Sequence, residues 1–472
     1  MQALTFCHGD IMNEVQTVSF REAIGVWTKI GFLSFGGPAG QIGLMHKMLV
    51  EERQWISNDR FLHALNYCNL LPGPEAQQLA IYIGWLLHGT RGGVAAGLLF
   101  VIPGMFTILA LTILYAGFHQ VVAVQGFFYG LKPAVLAIVV MAVFRIAGKS
   151  LKTPYLVGLA GLAFVAMFFY HTPFPLVIFG SGILGYLGLS ACPHYLGAAC
   201  PQWIHGGKAT EGSAGKEEGI VDILLATDAE GRFAPTLKRS LKVLAVWGGI
   251  WLGPVALVLL MLGQGHVYSK IALFFSKMAV VTFGGAYAVL AYMAQEAVAN
   301  YGWLHSGEML DGLALAETTP GPLIQVVQFV GFLAAFRSPG VLNPYVAGTL
   351  GALLTVWVTF APCFLWIFLG APYIEKLRHN KFMKGALSGI TAAVVGVVLN
   401  LSIWFGLNAM FGRTGQIKLL GAAIPVPDIQ TADWFALALA TLSYLAMKYL
   451  KLGMIPVLVG CAGVGFLWKT FM

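Results

Sequence analysis

The chain has 472 residues, of which 58% are hydrophobic and only 10% are Asp, Glu, Lys or Arg. An ordinary soluble domain has about 45–50% apolar and about 25% charged residues, so the composition excludes a soluble globular fold. Lys and Arg exceed Asp and Glu by 28 − 20 = 8. Short membrane loops rich in Lys and Arg give such an excess without any nucleic-acid partner. The composition therefore predicts an all-α polytopic membrane protein.

Residues 1–20 are predicted to be an N-terminal tail, because they lack the basic and apolar regions of a cleaved signal. The first membrane repeat follows over 21–192. Its opening stretch, about 22–88, is interrupted by Gly and Pro into segments of about 12–16 residues, which are too short to cross a bilayer. These segments are predicted to be half-helices or re-entrant pairs. Full spans are predicted over 93–118, 133–149, 154–170 and 174–190.

A soluble linker is predicted over 193–240. Residues 207–242 carry twelve charges, six of each sign, which is typical of a solvated segment that forms at most a short helix. The second repeat, with a leading linker helix, is predicted over 241–472. It contains another interrupted stretch, and its full spans are predicted over 241–263, 344–370, 385–411, 433–450 and 453–470.

The two membrane regions repeat one another, and both keep the same broken motifs at the same spacing. Adding 248 to the residue number takes the first Phe-Gly-Gly motif to the second and the first Pro-Gly-Pro motif to the second, without a gap. With gaps, Pro103 aligns with Pro362 and Gly130 with Gly385. Duplicated halves with broken helices indicate a secondary transporter, whose substrate binds near the midplane between the repeats. The number of spans, and hence whether the repeats are inverted or parallel, stays open at this stage.

The Pro-Gly-Pro motifs are predicted to start half-helices inside the membrane. Proline cannot continue a helix, and the central glycine gives the backbone freedom to turn. A half-helix that starts there presents unpaired N–H groups and the positive end of its dipole, which suits a small anion. The alternative is a tight turn between packed helices. The residues concerned are Pro72, Gly73, Pro74, Pro320, Gly321 and Pro322.

The Phe-Gly-Gly motifs are predicted to be unwound segments that line the same site. Gly36 and Gly37 form the first pair, and Gly284 and Gly285 form the second. Glycine pairs allow close approach of the backbone to a ligand, although they also serve as packing notches between helices.

Ionisable and amide side chains near these breaks are the predicted ligands of an oxyanion. Lys29 and Lys277 each lie six residues before a Phe-Gly-Gly motif, where an ammonium group can bind an anion or extend to the membrane interface. Gln77 and Gln325 are candidate hydrogen-bond donors, with helix-to-helix hydrogen bonding as the alternative.

Two acidic side chains beside the Pro-Gly-Pro motifs, Glu75 and Glu317, are candidates for proton coupling. The alternatives are an ion pair with Lys29 or Lys277 and, for Glu75, a carboxylate that only starts a helix. Arg91, Arg145 and Arg337 are predicted to anchor helix ends at the interface. The six cysteines lack a C-x-x-C pair. The sequence accordingly predicts no metal site and no cofactor.

At these motifs the sequence resembles the chromate ion transporter family in its long-chain, two-domain form. The resemblance rests on FLSFGGPAGQIGLM at 32–45, NLLPGPEAQQLAIYIG at 69–84 and ETTPGPLIQVVQFVGF at 317–332. It covers the chain except for the linker and the extreme N-terminus. It implies a multi-pass protein of the inner (plasma) membrane that exports chromate and confers chromate resistance. The second repeat departs from the first in one position, because Leu323 stands where the first repeat has Glu75.

Other functions stay open from the sequence. A carrier of sulfate or another tetrahedral dianion is the first alternative, including one that takes the anion up together with protons. A channel is disfavoured because it needs a pore-lining ring rather than paired half-sites. An enzyme is disfavoured because H-E-x-x-H and G-x-S-x-G motifs are absent from the sequence. The bilayer is the predicted surrounding partner, and a homodimer is a possible assembly.

Overall fold

The computed structural model describes residues 18–191, 219–226, 236–283, 286–305, 307–373, 381–419 and 422–471. Within the described residues, the first repeat contains a π-helical turn, Lys47–Glu51, and seven α-helices, whose bounds are α1 Phe20–Leu33, α2 Gly37–His46, α3 Asn58–Cys68, α4 Glu75–Phe118, α5 Val122–Ser150, α6 Pro154–Phe168 and α7 Phe174–Ala191. The predicted short segments before α4 are confirmed as helices of 14, 10 and 11 residues.

A short helix and a long helix lead into the second repeat. They are α8 Ile220–Ala226 and α9 Leu237–Leu262. The helices of the second repeat are α10 Val267–Val281, α11 Ala286–Gln295, α12 Glu308–Thr318, α13 Val326–Phe336, α14 Pro344–Gly370, α15 Lys381–Met410, α16 Trp434–Tyr449 and α17 Met454–Phe471. The strands β1 Thr414–Leu419 and β2 Ala422–Pro427 form an antiparallel hairpin between α15 and α16. This hairpin is the departure from the all-α prediction within the described ranges.

Six of the described helices are long and apolar enough to cross a membrane, which confirms the predicted polytopic membrane protein. One boundary differs clearly from the prediction. Helix α5 begins at Val122 and continues through Pro133, whereas the sequence predicts a span that begins at that proline. Membrane helices tolerate internal proline because neighbouring groups satisfy the freed carbonyl.

Helix α4 is two helices joined at a sharp bend. His88 and Gly89 have non-helical dihedral angles, and Gly89 has a φ of 62°. The arms 75–87 and 90–118 fold back on each other, so that Gly84 lies against the backbone of Gly92. Helices α13 and α14 form the matching hairpin in the second repeat, where Gly331 lies against Gly351. A side chain at these glycines would separate the arms.

The longest helix contacts cross from one repeat to the other. Helix α5 of the first repeat packs on α17, the last helix of the second, and α15 packs on α7 in the same way. Small residues make both contacts close. Gly130 lies against Gly465, and Gly389 lies against Gly185. By these contacts, Gly130 of the first repeat is equivalent to Gly389 of the second, because each lies against the corresponding glycine of the helix opposite. The sequence alignment instead matches Gly130 with Gly385, one helical turn earlier. In the structure, Gly385 corresponds to Gly126.

Equivalent helices of the two repeats run in opposite directions where they touch. In the second arm of α4, Gly93 faces Phe368 of α14, and Gly97, one turn further along, faces Phe364. Since the residue number rises along one helix while it falls along the other, the two helices are antiparallel. They are also counterparts, because each forms the second arm of its repeat's hairpin.

The described part of the linker, 219–226, is attached to the first repeat, while the remainder of the predicted linker up to residue 235 lies outside the described residues. The N–H of Val221 donates to the carbonyl of Trp55 at 2.9 Å. The Asp222 carboxylate accepts hydrogen bonds from the N–H of Ser57 and from Arg60. Burial alone would raise the pKa of Asp222, but these hydrogen bonds hold it below its usual value. The pair is therefore ionised at neutral pH.

Candidate functional site

The Pro-Gly-Pro turn of each repeat meets the Phe-Gly-Gly break of the other. The N–H of Gly73 donates to the carbonyl of Thr282 at 2.8 Å, and the N–H of Gly321 donates to the carbonyl of Ser34 at 2.9 Å. Ser34 and Thr282 are the residues just before the two Phe-Gly-Gly motifs. Both hydrogen bonds join positions that are related by the same 248-residue shift, so they are equivalent. We call this region of paired turns and breaks the crossing.

Local sequence explains why the chain breaks at these places. The hydroxyl of Ser34 donates to the carbonyl of Ile30 at 2.7 Å, and the hydroxyl of Thr282 donates to that of Met278 at 2.6 Å. Each helix therefore ends at a residue whose side chain bonds to a carbonyl of the last helical turn. Four described glycines at the crossing have left-handed φ values, which other residues adopt only under strain. They are Gly36 at 87°, Gly37 at 67°, Gly73 at 117° and Gly321 at 101°. Gly284 and Gly285 lie outside the described residues.

Glutamine side chains brace the crossing. The amide nitrogen of Gln78 donates to the carbonyl of Pro72 at 2.7 Å, and that of Gln325 donates to the carbonyl of Val101 at 3.2 Å. Gln41 of α2 likewise donates to the carbonyl of Gly321. The amide group of Gln325, a predicted donor to the substrate, is therefore engaged within the protein in this conformation. Gln77 is buried as well, and its side-chain oxygen has no partner among the described residues.

The two lysines predicted to bind the anion are exposed. Lys29 shares its side of α1 with the exposed Phe32, and Lys277 shares its side of α10 with the exposed Leu273 and Val280. Neither lysine forms a hydrogen bond or an ion pair with any residue in the described ranges. The two roles of these lysines, anion ligand and interface anchor, both stay predictions.

The two acidic candidates have different surroundings. Glu75 is the first residue of α4 and is partly buried at the Pro-Gly-Pro turn. Glu317, at the end of α12, is 1% exposed and accepts a hydrogen bond at 2.8 Å from the hydroxyl of Tyr287. Its other carboxylate oxygen, Oε2, is buried without a partner in the part of the chain that the structure describes.

The repeats also differ at the start of the half-helix. Leu323, which occupies the position of Glu75, begins a short 3-10 turn, Leu323–Gln325, instead of an α-helix. The two half-sites are therefore not identical.

Sequence reasoning missed a buried ionic group near the start of α12. Asp311 is 4% exposed, its carboxylate lies 3.3 Å from the Lys132 ammonium of α5, and it accepts a hydrogen bond at 3.0 Å from the Tyr115 hydroxyl. These residues join α4 and α5 of the first repeat to α12 of the second. The signal was present in the sequence, because Asp311 and Lys132 interrupt apolar segments in which charges are costly.

The structure contains no cluster of three or more His, Cys, Asp or Glu side chains that is able to hold a metal ion, within the residues it describes. The polar groups of the crossing are instead backbone N–H groups, amides, a tyrosine hydroxyl and single carboxylates. Such groups can recognise an oxyanion and exchange protons with it.

Comparisons with known proteins agree with this architecture. The family described as "Chromate transporter" matches residues 21–186 and 269–466, one match for each repeat. The chain is 28% identical over 449 residues to the chromate transport protein of Cupriavidus metallidurans, which covers 95% of this chain and 93% of that protein. It is 30% identical over 384 residues to the chromate transport protein of Pseudomonas aeruginosa, and this match covers 81% of this chain and 80% of that protein.

A shorter relative matches a single repeat. The uncharacterized transporter YwrA of Bacillus subtilis is 26% identical over 163 residues, which is 92% of that protein but 33% of this chain. No solved structure matches the chain. The repeated family match spans most of the sequence, the helices are those of a polytopic membrane protein, and the chain therefore belongs to the chromate transporter family.

Proposed function

We propose that this protein is a secondary transporter that exports chromate across the inner membrane and so confers chromate resistance. The observation that carries the proposal is the crossing, where broken helices from both repeats meet through two equivalent hydrogen bonds. Broken helices at a repeat interface are the usual substrate site of secondary transporters. The chromate transport proteins to which the chain is similar supply the substrate class.

The antiparallel contact between equivalent helices supports an inverted repeat. If the symmetry axis lay along the membrane normal, counterpart helices would run in the same direction. The contacts of Gly93 with Phe368 and of Gly97 with Phe364 show the opposite direction. An inverted repeat supports alternating access, in which one half rocks against the other around a fixed central site.

The proposed site consists of the Phe-Gly-Gly breaks, the Pro-Gly-Pro turns and the half-helices that follow them. The helix start at Glu75 has no side-chain cap, so its first N–H groups are available to an oxyanion. Lys29 and Lys277 stay predicted sources of positive charge, and Glu75 and Glu317 stay candidates for proton coupling.

Simple energetics favour export. A dianion that leaves a cell with an interior-negative potential of about 100 mV releases about 2 × 2.3 = 4.6 kcal/mol. At about 1.4 kcal/mol per tenfold gradient, this drives accumulation of roughly a thousandfold. Export therefore proceeds without an additional coupling ion, whereas uptake requires one.

Proton-coupled uptake of sulfate or another oxyanion is the second candidate. The observation that favours it is Glu317, a buried carboxylate at the crossing with one oxygen unpartnered among the described residues. A carboxyl group in this position can carry a proton together with the anion.

The test is uptake of radiolabelled chromate into inside-out vesicles with an interior-positive potential. We expect saturable accumulation that requires the potential and that vesicles without the protein lack. Excess sulfate and molybdate, added separately, measure selectivity among tetrahedral dianions. The double substitution Lys29→Gln/Lys277→Gln tests whether these lysines bind the anion. A loss of accumulation would assign them to the site. Unchanged accumulation would support their alternative role as interface anchors.

Absence of accumulation under every imposed gradient would contradict chromate export. Accumulation of sulfate that depends on an inward proton gradient in right-side-out vesicles would favour the second candidate.

A further inference from the structure

The helices pack into two groups, and each group contains helices of both repeats. In the first group α4 packs on α1, α13 and α14, and α14 packs on α9, α10 and α13. In the second group α15 packs on α5, α6 and α7, and α5 packs on α16 and α17. We call the first group, the described residues of 18–118 and 236–373, the crossing body, because both hydrogen bonds of the crossing lie within it. The second group, the described residues of 122–191 and 381–471, is the companion body.

Two helices of the crossing body form most of its boundary with the companion body, among the residues that the structure describes. Helix α12 packs on α5, and α11 packs on α15. Both helices are joined to the crossing, because α11 follows the second Phe-Gly-Gly motif and α12 ends two residues before Pro320. A displacement at this boundary is therefore transmitted directly to the crossing.

The contact of α12 with α5 contains a buried ion pair. The carboxylate of Asp311 lies 3.3 Å from the ammonium group of Lys132 and accepts a hydrogen bond at 3.0 Å from the Tyr115 hydroxyl. Asp311 is only 4% exposed. The loss of hydration offsets much of the attraction within a buried pair, so such a pair separates at little cost when water enters. It suits a contact that opens repeatedly.

The boundary is not the same in the two repeats. Helices α2 and α3, the first-repeat counterparts of α11 and α12, make no contact of similar extent with the companion body in the described parts of the chain. In an inverted repeat, the two halves exchange roles when the site turns from one membrane face to the other. A contact that one repeat makes and the other lacks is therefore a contact that opens in the opposite state.

We propose that the crossing body and the companion body are the parts that move against each other during transport. Lys132 and Asp311 are positioning residues, whose ion pair opens and closes once in each cycle. This inference rests on the proposed transport of an oxyanion and identifies the moving parts. Movement of one whole repeat against the other does not fit, because each body contains helices of both repeats.

The test bridges the boundary in Lys132→Cys/Asp311→Cys with a short bifunctional thiosulfonate, whose two disulfides dithiothreitol removes. We expect the bridge to lower the rate of chromate uptake into inside-out vesicles about tenfold or more, because the movement limits transport, and dithiothreitol to restore it. A pair that only supports the fold gives no loss, since the bridge holds the helices in contact. The unsubstituted chain, treated with the same reagent, measures any effect on the natural cysteines.

A matched pair on the same helix distinguishes the two bodies from the two repeats. The Tyr129 hydroxyl of α5 donates to the carboxylate of Asp433, just before α16, at 2.6 Å. Tyr129→Cys/Asp433→Cys therefore joins the two repeats but lies within the companion body. A bridge here should leave uptake unchanged, whereas movement of repeat against repeat predicts the same loss as at the boundary.

A second boundary pair guards against a variant that fails to fold. The rings of Phe174 in α7 and Tyr292 in α11 stack with centroids 5.4 Å apart, and Phe174→Cys/Tyr292→Cys should respond to bridging as the first pair does. All three pairs join residues on opposite sides of the linker. With a protease site inserted after residue 210, the two parts of a cleaved chain run together on a denaturing gel only when they are bridged.

The ion pair itself is tested by opening of the boundary. Phe128 of α5 is 8% exposed, and its ring contacts that of Tyr115 in α4 with centroids 5.0 Å apart, so Phe128→Cys reports access of water. We expect Asp311→Asn to speed labelling of this cysteine by a water-soluble maleimide about tenfold, because an unpaired Lys132 charge favours the open boundary. Glu308→Gln is the matched control, since it removes from the same helix an ion pair that lies within the crossing body. It should leave the labelling rate unchanged.

Three results would overturn the inference while leaving the transporter intact. They are undiminished uptake after bridging of either boundary pair, an equal loss after bridging within the companion body, and unchanged labelling in Asp311→Asn. Absence of uptake by the unsubstituted chain would instead contradict the proposed function.

Discussion

Gly73 shows how one residue fixes the geometry of the crossing. Its φ of 117° lies in the left-handed region, and its N–H forms one of the two hydrogen bonds that join the repeats. A Cβ atom at this position would lie 2.8 Å from the Gln78 amide nitrogen and 3.1 Å from the Cys363 sulfur. Glycine is therefore required here both by conformation and by space.

We expect Gly73→Ala to lower the free energy of unfolding by about 1–3 kcal/mol, through backbone strain, and to abolish chromate uptake because the turn shifts. The measurements are thermal unfolding in detergent and uptake into vesicles. Gly43→Ala is the control, since Gly43 is an exposed residue of α2 with nothing within 4 Å of a Cβ atom. It should be neutral or slightly stabilising. Equal behaviour of the two variants would show that the turn does not depend on glycine.

At this scale the sequence predicts the breaks but not what faces them. The Pro-Gly-Pro and Phe-Gly-Gly motifs mark local backbone properties, which proline and glycine determine wherever they occur. The contact between Tyr287 and Glu317 depends on how α11 and α12 pack, and no local pattern specifies it. The sequence predicts Arg145 as an interface anchor because it lies near the end of the predicted span 133–149.

Among the helices, the packing of one repeat on the other depends on rows of small residues. Gly126 and Gly130 of α5 lie against Gly465 of α17, and a Cβ atom on Gly130 would overlap the carbonyl of Cys461. Membrane helices associate mainly through such close packing, because lipid offers no hydrophobic advantage to their contact.

We expect Gly130→Ala to separate α17 from α5 and to lower the free energy of unfolding by about 1–3 kcal/mol, as overpacking does elsewhere. Crosslinking between cysteines placed on α5 and α17 would report the separation directly. Gly148→Ala lies on the same helix with open space around it and should leave the crosslink unchanged. A wild-type crosslink in Gly130→Ala would contradict the predicted contact.

Helix positions could be predicted well because long apolar runs are the strongest signal that a membrane sequence carries. The partners of the helices could not, since many helices carry small residues and any two of them could pack. The β-hairpin between α15 and α16 has no counterpart among residues 18–191, the described part of the first repeat, and repeat comparison therefore gives no indication of it.

For the whole molecule, the helices that pack on the opposite repeat make the two repeats interdependent. Helix α5 needs α17, and α7 needs α15, so neither repeat completes its packing alone. The covalent link between the repeats passes through the linker, which contributes the Asp222 contact with Ser57 and Arg60.

We expect a chain divided after residue 210 to reassemble when both pieces are produced together. The halves should purify as one complex and take up chromate in vesicles, because helices of each half pack on helices of the other. Each half produced alone should aggregate or be degraded. The undivided chain with the same tags is the reference. A single half that elutes as a stable monomer, or two halves that fail to associate, would contradict the interdependence of the repeats.

The packing of α17 on α5 also constrains the order in which the protein assembles during synthesis. Helix α5 ends at Ser150, whereas α17, on which it packs, begins at Met454, about 300 residues later. At roughly 5–20 residues per second, the ribosome needs about 15–60 s to make the intervening chain. During that interval the glycine face of α5 is in the membrane without its final neighbour, and the first half of the protein is exposed to quality-control proteases. Helix α17, of 18 residues, therefore decides whether the half of the molecule that was made first survives.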